Sequence, residues 1–126
     1  MSVKFSTTVK EIISFSFEEA NRLGNNTIRT EHLLLGILRS KHNAAYRQLE
    51  RMHVDLEALK NEIEQSIQEH HGNVRSLPLD GHAETIIMGA RREAEALHNK
   101  KVEAEHLMHA LLNDDAFAAQ IATHIK

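Results

Sequence analysis

The sequence aligns with itself. Residues 5–38, FSTTVKEIISFSFEEANRLGNNTIRTEHLLLGIL, lie without a gap on residues 79–112, LDGHAETIIMGARREAEALHNKKVEAEHLMHALL, at an offset of 74. Ten of the 34 aligned pairs are identical, among them Ile12/Ile86, Ile13/Ile87, Glu19/Glu93, Leu23/Leu97, Asn25/Asn99, Glu31/Glu105 and His32/His106. A chain of 126 residues built this way is two copies of one helical unit sharing a core. Any site in one copy then has a counterpart in the other.

Both copies read as helix. Val9, Ile12, Ile13, Phe17, Ala20 and Leu23 recur every three or four residues and form one apolar stripe from about Ser6 to Leu23. Ser6, Thr7 or Thr8 can cap that helix, and Gly24-Asn25-Asn26 ends it. Thr30 is the expected cap of a second helix with Leu33, Leu34, Ile37 and Leu38 inward, and Glu31 complements its dipole. A short helix over about 43–51 follows. Asp55 then caps a longer one to about His70, striped by Leu56, Leu59, Ile63 and Ile67. The second copy predicts helices from Asp80 to about His98, from about Ala104 to Leu112, and from about Asp115 with Phe117, Ile121 and Ile125 inward. The equivalent positions Ile12, Ile13, Leu23, Leu33, Leu38 and Ile86, Ile87, Leu97, Leu107, Leu112 are expected to be buried alike. The first repeat thus covers about 5–70, a linker 71–78 contains Pro78, and the second repeat covers about 79–126. Lys126 corresponds to Met52, so within these 126 residues the second repeat is expected to lack a counterpart of the helix at 55–70, whether the natural chain continues or is a shortened, stand-alone version.

Composition narrows the function. A net charge of −3 provides no drive towards nucleic acid or an anionic membrane, and the longest apolar run, LLLGIL at 33–38, is too short to cross a bilayer. No Cys is present, so thiol chemistry, disulfides and thiolate metal sites are excluded. With no apolar leader at the start, the expected location is the cytoplasm. Neither GxSxG nor GxxxxGK[ST] occurs, so these residues are expected to be non-catalytic and without a cofactor. Glu18, Glu19, Glu62 and Glu64 read as solvated charge on helix faces. Ten His residues raise a metal hypothesis, and His106 and His109 stand at i, i+3. With no third ligand in the pattern, no metal site is assigned.

The recurrent Glu-His pairs support two readings. Glu31 and Glu105 complement a helix dipole while His32 and His106 pack. Alternatively, a carboxylate beside free helix amides forms a mixed site for a cation bearing an anion.

The stretch EEANRLGNNTIRTEHLLLGILRS and its weaker echo EAEALHNKKVEAEHLMHALLNDD closely resemble the N-terminal domain of the Clp AAA+ unfoldases, especially the ClpC and ClpA type, over about Phe5 to Lys126. The resemblance implies an all-α domain of about seven to eight helices in two pseudo-twofold-related repeats. It implies a non-catalytic recruiting role, with adaptor proteins, protein substrates and the Clp ATPase ring as partners. The alternative on that footing is a free-standing regulator that competes for adaptors. In ClpC-type members the two repeat-related sites bind phosphorylated arginine. Carried over by motif, the candidate residues are Glu31 and Glu105, with Ser6 and Thr7 for the phosphoryl group. Arg29 stands where the family has Gly, Ala104 replaces the Thr of TEH, and Asp80 replaces the hydroxyl residue. Grouping each Glu with the start of its own repeat, Glu31 with Ser6 and Thr7 is the site expected to bind. Glu105 with Asp80 is the expected weak one.

Overall fold

The computed structural model describes residues 4–67 and 79–126; the linker expected at 71–78 and residues 68–70 lie outside the described residues. The order is β1 (Lys4–Phe5), α1 (Thr7–Arg22), α2 (Thr30–Ser40), α3 (Ala44–Arg51), α4 (Leu56–Ile67), α5 (Gly81–Ala96), β2 (Lys101–Val102), α6 (Ala104–Leu112) and α7 (Asp115–Thr123). Each repeat is a helical hairpin, α1 on α2 and α5 on α6, followed by a short helix. The two hairpins join through α1 against α6 and α2 against α5, around one core that runs from Ile12 and Leu33 to Leu107 and Ile121.

The caps follow from residue type. Ser6, Asn43, Asp80 and Asp114 each accept the amide three residues on, from Val9, Tyr46, Ala83 and Phe117, and Asp55 receives Ala58 likewise. The expected cap Thr30 is instead the first residue of α2; Arg29 is the capping position. Thr30 is displaced because His32 supplies the cap from inside the helix: its Nδ1 accepts the Arg29 amide at 2.8 Å. His106 accepts the Glu103 amide at the same distance in α6.

The repeats exchange their short strands. Phe5 pairs with Val102 in a parallel bridge, and its 74-residue equivalent Leu79 pairs with Ile28, the equivalent of Val102. The Ser6 amide donates to Val102 O and the Asp80 amide to Ile28 O, both at 2.9 Å. A third crossing links Val54 antiparallel to Ile125, with the Asp55 amide on His124 O at 2.7 Å. The start of each repeat is therefore stitched to the other repeat's second helix.

Five expectations about burial change. Ile13 and Leu112 are half-buried, Ile125 is exposed, and Leu97 is 60% exposed where Leu23 is 7% exposed. The cause at Leu97 is α4: Arg22 bonds Glu64, and Asn25 Nδ2 donates to Ile67 O, so α4 lies across the end of the first hairpin. Among the described residues the second hairpin has no such cover. Glu19, read as solvated, is buried, because Arg22 and Arg39 both reach its carboxylate. The hydrogen bond to Glu19 is the main reason that the Arg22 guanidinium is held above its ordinary pKa, with Glu64 adding to it.

Candidate functional site

His32 and His106 do the same structural work. Because Nδ1 accepts a backbone amide, the ring proton sits on Nε2, which donates to Asn25 Oδ1 at 2.7 Å in the first repeat and to Asn99 Oδ1 at 2.9 Å in the second. Each imidazole thus ties the turn before the helix to its first residues, and the Glu-His recurrence is explained on the histidine side by packing and capping. The glutamates are left with no such duty. Glu31 is half-buried and Glu105 is exposed, each in the first turn of its helix.

The strand exchange decides what these carboxylates face. Since Ser6 is bonded to Val102, the start of α1 lies beside the start of α6, next to Glu105 rather than Glu31. A groove of about 260 Å³ opens there, lined by Thr8, His42, Asn43, Ala44, Arg47, Glu103, Ala104 and Glu105. Three helix starts border it: α1 with the exposed Thr7 and the half-buried Thr8, α3 behind Asn43, and α6. Their free amides and the Arg47 guanidinium suit an anion, while Glu103 and Glu105 suit a cation. Ser6 does not open onto solvent. It is 5% exposed and its hydroxyl is spent on the Val9 amide.

The equivalent corner differs. Asp80 is bonded to Ile28, so the start of α5 lies beside the start of α2 and Glu31. There Asp80 caps Ala83, and His82, the equivalent of Thr8, is taken by an ion pair with Asp114. The Asp114 carboxyl is held below the usual carboxylate range, first by the Phe117 amide and then by His82. Buried Thr30 Oγ1 has no hydrogen-bond partner among the described residues. With Asp80 joined to Ile28, two residues before Thr30, and Asp114 paired with His82 at the start of α5, this corner carries the carboxylates of Glu31, Asp80 and Asp114.

The grouping of Glu31 with Ser6 and Thr7, and of Glu105 with Asp80, is accordingly replaced by its crossed form. Sequence spacing carries no trace of the strand exchange that crosses them. Thr8, Arg47 and Glu103 are the residues that the sequence reading missed. The one available signal was Asn43, whose capping role places a third helix start after the TEH helix. Among the described residues no group of three or more His, Asp or Glu is placed to hold a metal ion, and no helix is long and apolar enough to cross a membrane.

Comparison with known proteins gives a consistent result. The sequence model described as "Clp repeat (R) N-terminal domain" matches residues 4–121. The ClpA homolog ATP-binding subunit of the ATP-dependent Clp protease from Trieres chinensis is 35% identical over 115 residues, 90% of this chain and 13% of that protein. The "negative regulator of genetic competence ClpC/MecB" of Bacillus subtilis is 27% identical over 97% of this chain and 15% of its own length. The chain therefore spans about one seventh of the curated relatives it matches. Among solved structures, the Hsp104 N-terminal domain from Candida albicans superposes with a TM-score of 0.79 at 14% identity, covering 96% of this chain and 81% of that one. The N-terminal domain of ClpD from Arabidopsis thaliana gives 0.74 at 19% identity, covering 95% and 85%.

Proposed function

The chain belongs to the Clp repeat N-terminal domain family, and from that premise we propose that it is the recruiting part of a Clp-type ATPase machine. It holds protein substrates or their adaptors and passes them to the ATPase ring, with no bond made or broken in these residues. Its finer specificity is for phosphorylated arginine, bound in the groove between the starts of α1 and α6. The observation that carries this reading is the meeting of opposite preferences in one groove. Glu105 and Glu103 face a guanidinium, while Thr7, Thr8, Arg47 and the open helix amides face the attached phosphoryl group. At the Glu31 corner the phosphoryl group meets Asp80 and Asp114, and like charges at that range repel it.

The test is calorimetric titration of the chain with a short phosphoarginine peptide and its unmodified arginine form. Glu105→Ala should weaken phosphoarginine binding about tenfold or more, as loss of a charge-assisted pair does, while Glu31→Ala leaves it within about twofold. Loss on Glu31→Ala with Glu105→Ala unaffected would overturn the assignment to the α1/α6 groove, and no binding of the phosphoarginine peptide at roughly millimolar concentration would remove the phosphoarginine reading.

A further inference from the structure

The two parallel crossings that stitch the repeats together are built alike and charged differently. In one, Lys4 pairs with Lys101 and Phe5 with Val102 along the ribbon of β1 and β2. Paired residues of a ladder share a face, and successive residues alternate between faces. Val102 is buried and Phe5 half-buried, while Lys4 and Lys101 are both exposed. Two like charges thus lie side by side in register, an arrangement that costs a sheet stability. Neither lysine has an ion pair or side-chain hydrogen bond among the described residues.

The fold does not require this pair. The other crossing joins Ile28 to Leu79 with the same backbone bond, and there Thr27 stands for Lys101 and Pro78 for Lys4. The contrast extends along the chain. Lys4 and residues 91–102 bring together Lys4, Arg91, Arg92, Lys100 and Lys101 against Glu93 and Glu95. The equivalent residues, 78 and 17–28, hold Arg22 against Glu18 and Glu19. Arg91 reaches the ribbon from α5, with its guanidinium 4.9 Å from the Phe5 ring centroid. Its Nε is buried without a partner among the described residues. The carboxylates do not answer these cations. Glu93 lies against His109 in the groove between α5 and α6, and Glu103 and Glu105 line the groove at the start of α6.

We infer that the β1/β2 ribbon is a docking surface for an acidic segment of a protein partner, whose carboxylates lie between Lys4 and Lys101. Such a segment relieves the repulsion within the pair and supplies the counter-charge that the other crossing does not need. Lys100, the neighbour of Lys101, and Arg91 hold further carboxylates at its edges. A short acidic stretch suits the surface better than a nucleic acid does. The patch is a few cations wide, and a longer polyanion meets Glu103, Glu105 and a chain of net charge −3. The ribbon adjoins the Glu105 groove, but its occupant carries no phosphoarginine, so the two sites stand or fall independently.

The probe is acetyl-tetraglutamyl-amide at low salt, followed through the backbone amide resonances of Phe5, Lys101 and Val102. Saturable shifts with a dissociation constant of about millimolar are expected for so small a ligand, and none for the tetraglutamine peptide. Lys4→Gln and Lys101→Gln should each weaken binding about two- to fivefold, as loss of one exposed charge pair does. Lys60→Gln, an exposed lysine of α4, should leave it unchanged. Lys101→Glu supplies the counter-charge to Lys4 in cis and should abolish binding. Shifts absent up to roughly 20 mM probe, equal weakening by Lys60→Gln, binding retained in the folded Lys101→Glu variant, or tighter binding of hexathymidylate than of the glutamate peptide each overturn the inference.

Discussion

Leu23 and Leu97 close the first helix of their repeats at equivalent positions, yet one is buried and the other is largely in solvent. Asn25 and Asn99 show the same divergence. Both accept a histidine Nε2–H, and Asn25 is also tied by its Nδ2 to Ile67 of α4, a bond with no equivalent at Asn99 among the described residues. The two hairpins therefore share their internal wiring and differ in what lies on top of them. Identity between copies marks the wiring, namely the caps, the His-Asn clamp and the central Ile and Leu positions. Function is to be sought where the copies part, at Thr8 against His82, Ser6 against Asp80, and Lys101 against Thr27.

The strongest way to break this comparison is truncation of the paired leucines. Leu33→Ala and Leu107→Ala remove fully buried side chains and should each cost about 2–5 kcal/mol. Leu23→Ala should fall in the same range, whereas Leu97→Ala should change stability by less than about 0.5 kcal/mol. Chemical denaturation of the four variants reads this directly. Equal losses at Leu23 and Leu97 would mean that the second hairpin is covered as the first is.

A smaller effect sharpens the contrast at glycine. Gly36 lets α1 and α2 approach so closely that an added Cβ would lie 2.4 Å from Ile12 O and 2.5 Å from Ser16 Oγ. Gly36→Ala should therefore destabilise by about 1–3 kcal/mol. A Cβ on Gly89 makes only an ordinary contact, 3.8 Å from the Ala110 Cβ, so Gly89→Ala within a helix should stabilise by about 0.5–1 kcal/mol. Thermal unfolding of the two variants should shift in opposite directions; a shift in the same direction would show that the hairpins pack alike.

Much of the fold was legible because it is written locally. The stripe of Val9, Ile12 and Ala20, the caps Asp55 and Asp80, and the limits Ala104–Leu112 follow from period and residue type. The cap at Thr30 was misplaced because a histidine three residues on, which is not a usual capping residue, accepts the amide instead. Leu97 and Ile125 were misjudged for a different reason. Their stripes are intact, but a stripe says which face is apolar and not whether anything covers it. The candidate residues Glu31, Glu105, Ser6 and Thr7 stood out in the sequence through the repeat and the motif. Their grouping did not, since the two-residue strand and the single bridge that cross the repeats are too short to leave a pattern. Nor did a hydroxyl that is required as a helix cap, as at Ser6, differ in sequence from one held open for a ligand.

The crossed pairing of the repeats is tested most directly by mapping where free phosphoarginine lands on the unsubstituted chain. Backbone amide shifts should change at Thr7–Val9, at Arg47 and at Glu103–Leu107, the residues around the groove at the starts of α1 and α6. The amides of Thr30–Leu33 and Gly81–Ala83 should stay in place. Shifts confined to Thr30–Leu33 and Gly81–Ala83, with Thr7–Val9 and Glu103–Leu107 unmoved, would contradict it.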